Sequence, residues 1–178
     1  MIKIIKTNIP VESVLKQLKQ YSMDWECQKN DENSDSLLNY GFPKIDIGVL
    51  QLKVGVVSNS NEFVGDSELS RETTAWNRHT AILTCLRKNG FKKIERCGFL
   101  SLPVGKEVGS HIDVGSYYLN RDRYHLSIQG TYLYTCDNQQ EVIKPGTLFW
   151  FDNKKMHSAK NIGDDIRITF VFDTLKIK

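Results

Sequence analysis

From Ile94 onward the chain is cut into short stretches where apolar and polar residues alternate, divided by Gly, Pro and Asn, and that two-residue period confines this half to antiparallel β-structure. In RYHLSIQ, Arg123, His125, Ser127 and Gln129 fall on one strand face, and Tyr124, Leu126 and Ile128 on the other. In IRITFVFD, Ile166, Ile168, Phe170 and Phe172 share a face opposite Arg167, Thr169 and Val171. So continuous an apolar face has to be covered, and the N-terminal helices are the available cover. The face carrying Arg167 and Thr169 then looks into a barrel or along its mouth. A buried guanidinium there requires an anion, because an unpaired buried charge is very costly.

The first half has a different character. A short β-rich run, Ile2 to Ile5, is followed by Pro10, which sits well at the first position of an amphipathic helix with Val11, Val14, Leu15 and Leu18 on one side. Gln28 to Ser36 reads as a polar surface loop, and a strand pair is expected around Ile45 to Val57. Ser70, with Glu72 and Thr73 behind it, predicts the cap of a longer helix that stops at Gly90. That helix would carry Trp76, Leu83 and Leu86 as an apolar stripe, with Ala75 and Ile82 beside it and His79 on the stripe too. A histidine on such a face reads as a packed, hydrogen-bonded core residue. A length of 178 residues supports one core, so the chain is expected to be a single domain, 1–178, in which 1–93 buttresses a β core at 94–178.

Composition excludes several function classes. No apolar run approaches a membrane span, and MIKIIKTNIP lacks the apolar core of a secretory signal, so a cytoplasmic location is expected. Cys27, Cys85, Cys97 and Cys136 are scattered without a CxxC pair, which argues against a zinc knuckle, a redox dithiol or a disulfide framework. A net charge of +3 is too small to imply a nucleic-acid partner, and Arg87, Lys88, Lys92 and Lys93 read as a solvated helix end.

The chemistry is carried by histidines. His111 and Asp113 form an HxD pair after the Gly105 to Gly109 turn region, and His157 follows the apolar strand Leu148 to Phe151. Two neutral imidazoles and one carboxylate can occupy one face of an octahedral metal while leaving other positions open, a set that favours iron(II). Arg167 lies ten residues beyond His157 and sharpens the signal.

With HID, the distal His157 and RIT (Arg167, Thr169) in place, the sequence resembles the double-stranded β-helix oxygenases that use iron and 2-oxoglutarate. Within them it is most similar to the aspartyl/asparaginyl β-hydroxylase group. That likeness runs from about Phe99 to Asp173 and takes in Gly105, the RYHL strand, PGTLFWFDN and HSAKN. It implies a jelly-roll, cupin-like core, iron(II) bound by His111, Asp113 and His157, and 2-oxoglutarate and O2 as co-substrates. It further implies that Arg167 pairs with the distal carboxylate of 2-oxoglutarate, supported by Thr169 or Ser101, and that Arg123 and His125 contact its other end near the metal. Some members of the group bind iron through two histidines alone, whereas this chain has Asp113 and keeps the wider pattern. The implied reaction is oxidative decarboxylation of 2-oxoglutarate coupled to hydroxylation of a peptide side chain or small molecule.

Two other readings use the same residues. One is a cupin-like metal protein acting as an isomerase or sensor, which has no need of an inward Arg167. The other is an oxygenase whose substrate is a nucleobase. For Tyr117, Tyr118, Trp76 and Trp150, ordinary aromatic packing is expected ahead of a place in the substrate pocket.

Overall fold

The computed structural model describes residues 1–25 and 47–176. The polar loop expected at Gln28–Ser36, together with Cys27 and Ile45, lies outside these residues. In chain order the elements are β1 (Ile2–Lys6), α1 (Glu12–Gln20), β2 (Gly48–Gly55), β3 (Ser70–Glu72), α2 (Thr80–Lys88), β4 (Cys97–Leu102), β5 (Glu107–His111), a short 3-10 turn (Ser116–Asn120), β6 (Arg121–Gln129), β7 (Tyr132–Cys136), β8 (Gln139–Ile143), β9 (Leu148–Phe151), β10 (His157–Asn161) and β11 (Arg167–Leu175).

The strands form two antiparallel sheets, a large one in the order β1-β9-β6-β11-β4-β2-β3 and a small one in the order β5-β10-β7-β8. The alternation in β6 and β11 holds except at one end. A register shift between Ile168 and Thr169 sets Gln129 opposite Ile168 instead of on the face of Arg123, His125 and Ser127, and Ile166, expected on the covered face, precedes β11 and is exposed. Leu126, Ile128, Phe170 and Phe172 pack on the outer face with Val14 and Leu18 of α1 and Ile82 and Leu86 of α2. The inner face meets the small sheet, where Tyr132, Tyr134, Phe149, Phe151 and Ala159 form a second buried cluster. The expected helical cover of a jelly-roll, cupin-like core is therefore present.

The N-terminal half departs from expectation in three places. Ser70 does not cap a helix: Ser70–Glu72 is an edge strand on Lys53–Gly55, and Thr73 is tied to β2 by its N–H to the Leu52 carbonyl (2.8 Å) and its hydroxyl to the Gln51 carbonyl (2.8 Å). The helix begins at Thr80 and stops where expected, at Gly90 with φ +94°. In place of a strand pair within Ile45 to Val57, one strand, β2, pairs with β3 and β4. Pro10 precedes the first helix rather than opening it, since Val11 is the N-terminal cap residue. The strands of 1–93 also join the large sheet itself, β1 beside β9 and β2 beside β4. His79 is buried, its Nε2 2.8 Å from Asp24 Oδ2, the packed core residue expected.

Cys85, Cys97 and Cys136 are buried and free. Arg87, Lys88, Lys92 and Lys93 are exposed, as a solvated helix end should be. Among the described residues no helix is long and apolar enough to cross a membrane.

Candidate active site

Pairing between β5 and β10 sets His111 directly opposite His157, so the two rings project from the same face of the small sheet with centroids 4.2 Å apart. Each Nδ1 lies against a backbone carbonyl, Gly109 at 2.8 Å for His111 and Lys155 at 2.9 Å for His157. A carbonyl only accepts, so Nδ1 carries the proton and each Nε2 offers its lone pair to the space between the rings. Asp113 follows β5, and its backbone N–H donates to the Asn153 carbonyl (2.9 Å). One ligand atom from each of His111, Asp113 and His157 lies within 4.8 Å of the others.

The carboxylate is divided between two tasks. Oδ2 accepts from Arg123 Nη1 and from Asn153 Nδ2, both at 2.9 Å. Oδ1 is left facing His157, 4.0 Å from its Nε2. Burial works against the ionised form of Asp113, but Arg123, His157 and Asn153 outweigh it and hold the carboxyl below its usual range. Burial likewise pushes the pKa of His157 down, against the pull of Asp113. A deprotonated Asp113 carboxylate and a neutral His157 ring are the forms in which these two groups bind a divalent metal.

Deeper between the sheets lies a polar lining without partners. Arg167 is 2% exposed, its guanidinium 4.2 Å above the Tyr132 ring, and Nε has no hydrogen-bond partner. No carboxylate among the described residues pairs with it. Thr169, two residues along, donates to or accepts from Tyr132 Oη at 3.3 Å. His125 Nδ1, Ser127 Oγ and Tyr134 Oη are also buried and unpartnered. Burial, then the charges of Arg167 and Arg123, drive the pKa of His125 well down, so it is a neutral ring. Orphaned buried polar groups are costly and rare. A cluster of four, with an unpaired guanidinium, fits a small acidic ligand, and the donor set beside it fits iron(II).

Of the residues expected at this site, His111, Asp113, His157, Arg123, His125, Arg167 and Thr169 all face the space between the sheets. Ser101 does not. Its register partner on β11 is Ile168, so it shares the outer, helix-covered face with Phe99 and Phe170, one strand step out of phase with Arg167. A support for Arg167 from Ser101 is corrected on that ground. Arg123 is bonded to two carboxylates, Asp113 and the fully buried Asp173. Asn153, Asp173, Tyr132 and Tyr134 are site residues that sequence reading missed. Tyr132 and Tyr134 alternate along YLYTC as inward residues should, which was the available signal.

The aromatics keep to packing. Tyr117 is enclosed between the guanidiniums of Arg96 and Arg121, 3.8 and 3.9 Å from its ring centre, and Tyr118 lies beneath Arg123 at 4.8 Å. Trp76 packs on the outer core, and Trp150 donates to Asp122 (3.1 Å).

Two antiparallel sheets in a jelly-roll, cupin-like core close on a His-Asp-His cluster that could hold a metal ion. The family model for aspartyl/asparaginyl β-hydroxylase matches residues 48–176, and the chain belongs to that family. The match reaches back to Gly48, well before the segment in which motifs are legible. No curated protein matches the chain. Among solved structures it is similar to a predicted oxalate decarboxylase from Thermotoga maritima, at 19% identity and TM-score 0.40 over 51% of this chain and 74% of that one. It is also similar to the cupin domain of Cnp3 from Schizosaccharomyces pombe, at 17% identity and TM-score 0.40 over 46% and 56%. Strand order and register alone define the two-sheet jelly-roll core.

Proposed function

We propose that the protein is an iron(II)- and 2-oxoglutarate-dependent hydroxylase. The observation that carries the reading is the pairing of two features in one barrel: a His-Asp-His cluster with each Nδ1 turned to a backbone carbonyl, and a buried Arg167 with no carboxylate partner among the described residues. His111, Asp113 and His157 would hold the metal. Arg167 would take the distal carboxylate of 2-oxoglutarate, since a guanidinium binds a carboxylate through two parallel bonds, with Thr169 and Tyr132 steadying it. His125, Ser127 and Tyr134 would satisfy their free polar atoms on the remainder of the co-substrate. Iron held by these residues would supply the activation of O2 that couples decarboxylation of 2-oxoglutarate to hydroxylation. The aromatic wall of Tyr132, Tyr134, Phe149 and Phe151 keeps water from the chamber.

Family membership favours an aspartyl or asparaginyl side chain of a peptide, or a related small molecule, as the group hydroxylated. The deciding experiment loads anaerobic protein with iron(II), titrates 2-oxoglutarate, admits O2 and measures succinate. Arg167→Ala is expected to abolish 2-oxoglutarate binding while retaining iron, and His111→Ala to lose iron. Iron binding without 2-oxoglutarate binding in the wild type would instead support the metal-sensor reading.

A further inference from the structure

We infer that Asp173 and Arg123 form a buried positioning pair for the metal carboxylate: Asp173 fixes the Arg123 guanidinium, which fixes Asp113 so that a single oxygen, Oδ1, is presented to the metal. The inference rests on the metal-site reading above.

Asp173 lies on β11, fully buried, six residues beyond Arg167. Its backbone is anchored on both sides, the N–H donating to the Arg96 carbonyl at 3.0 Å and the carbonyl accepting from Glu95 N–H at 2.8 Å. Its carboxylate meets Arg123 edge-on, Oδ1 accepting from Nε at 2.7 Å and Oδ2 from Nη2 at 2.9 Å. The remaining Nη1 donates to Asp113 Oδ2, and the Tyr118 ring lies against the guanidinium face. Such two-point contact fixes the plane of the guanidinium as well as its place. Asn153 closes Oδ2 from the other side, so Asp113 has one oxygen left for coordination.

Charge argues the same way. A dication, a dicarboxylate dianion, Arg167 and Asp113 already sum to zero, and His125 is uncharged. A second free guanidinium would leave the buried chamber cationic. Asp173 neutralises it, which makes Arg123 a positioning residue instead of a co-substrate anchor. A carboxylate held in this way loses little freedom when the metal binds, and the partners of metal ligands typically set affinity by about 10–100-fold.

The test measures iron(II) affinity by anaerobic calorimetry, and 2-oxoglutarate affinity at saturating iron. It compares wild type, Asp173→Asn and Arg123→Lys, each alone and combined with Asp113→Ala. Asp173→Asn and Arg123→Lys are expected to weaken iron about 10–100-fold. They should leave 2-oxoglutarate affinity at saturating iron essentially unchanged, and cost no further iron affinity once Asp113→Ala is present. Unchanged iron affinity in the single variants overturns the inference. So does loss of 2-oxoglutarate with iron retained, which would make Arg123 a co-substrate ligand, or an equal loss in the Asp113→Ala background. Circular dichroism checks folding, and if Asp173→Asn does not fold, Arg123→Lys in both backgrounds carries the test. A wild type that binds no iron fails the proposed function as a whole, whereas normal wild-type binding with indifferent variants fails only the positioning pair.

Discussion

At the scale of single residues, the chamber between the sheets is built at some cost to the chain's own stability. Arg167, His125, Ser127 and Tyr134 bury polar atoms that have no hydrogen-bond partner among the described residues. An unsatisfied buried hydroxyl costs on the order of 1–3 kcal/mol, so its removal should relieve the folded state. Tyr134→Phe is therefore expected to leave the ligand-free protein as stable or up to about 1 kcal/mol more stable, measured by urea unfolding, while weakening 2-oxoglutarate binding. A large loss of stability would mean that the hydroxyl has a structural partner. His79 is half satisfied: its Nε2 is bonded to Asp24, which Arg78 grips at 2.6 Å, while its Nδ1 is buried with no hydrogen-bond partner among the described residues.

At the scale of elements, β11 does two jobs with its two faces. Phe170 and Phe172 seal the outer core under the helices, while Arg167, Thr169 and Asp173 are buried away from it, with Arg167 and Thr169 on the inner face and Asp173 reaching Arg123. Phe170→Ala should cost about 3–5 kcal/mol in denaturant unfolding, with metal affinity retained in the folded fraction. Equal damage to both properties would show that the faces are not separable. The β6–β7 turn is matched to this strand. Gly130 has φ +77°, and a Cβ there would lie 2.8 Å from the Arg167 Cα, so the turn leaves room for the backbone that carries the arginine. The segment between β9 and β10 has a comparable role, since Asn153 holds Asp113 and the Lys155 carbonyl holds His157. One turn thereby orients two of the three side chains of the His-Asp-His cluster.

At the scale of the whole molecule, burial of neutral imidazoles couples stability to pH. Burial is the largest cause of the lowered pKa of both His79 and His125, outweighing Asp24 in the first case and reinforced by Arg167 and Arg123 in the second. Above their ordinary value of 6.5 the rings are neutral in folded and unfolded chains alike. Below it the unfolded chain takes up protons that the folded chain refuses, so stability falls with pH, by at most about 1.4 kcal/mol per pH unit for each ring. Urea midpoints of the metal-free protein should thus be flat above neutrality and decline from about pH 6.5 toward 5. A flat profile across that range would show that these rings are protonated in the folded state.

The sequence by itself determined which residues share a face of β6 and β11, where the helices had to lie, and which side chains were candidates for metal and anion. Alternation is a local property, and strands obey it wherever they are placed. Tertiary structure decided what depends on pairing between distant segments. It made Ser70–Glu72 an edge strand because Thr73 finds its partners on β2, and it turned Ser101 outward because its register partner is Ile168. It also joined Arg123 to Asp173, fifty residues away, a choice that no local pattern encodes because a buried guanidinium takes whichever carboxylates the fold brings within reach.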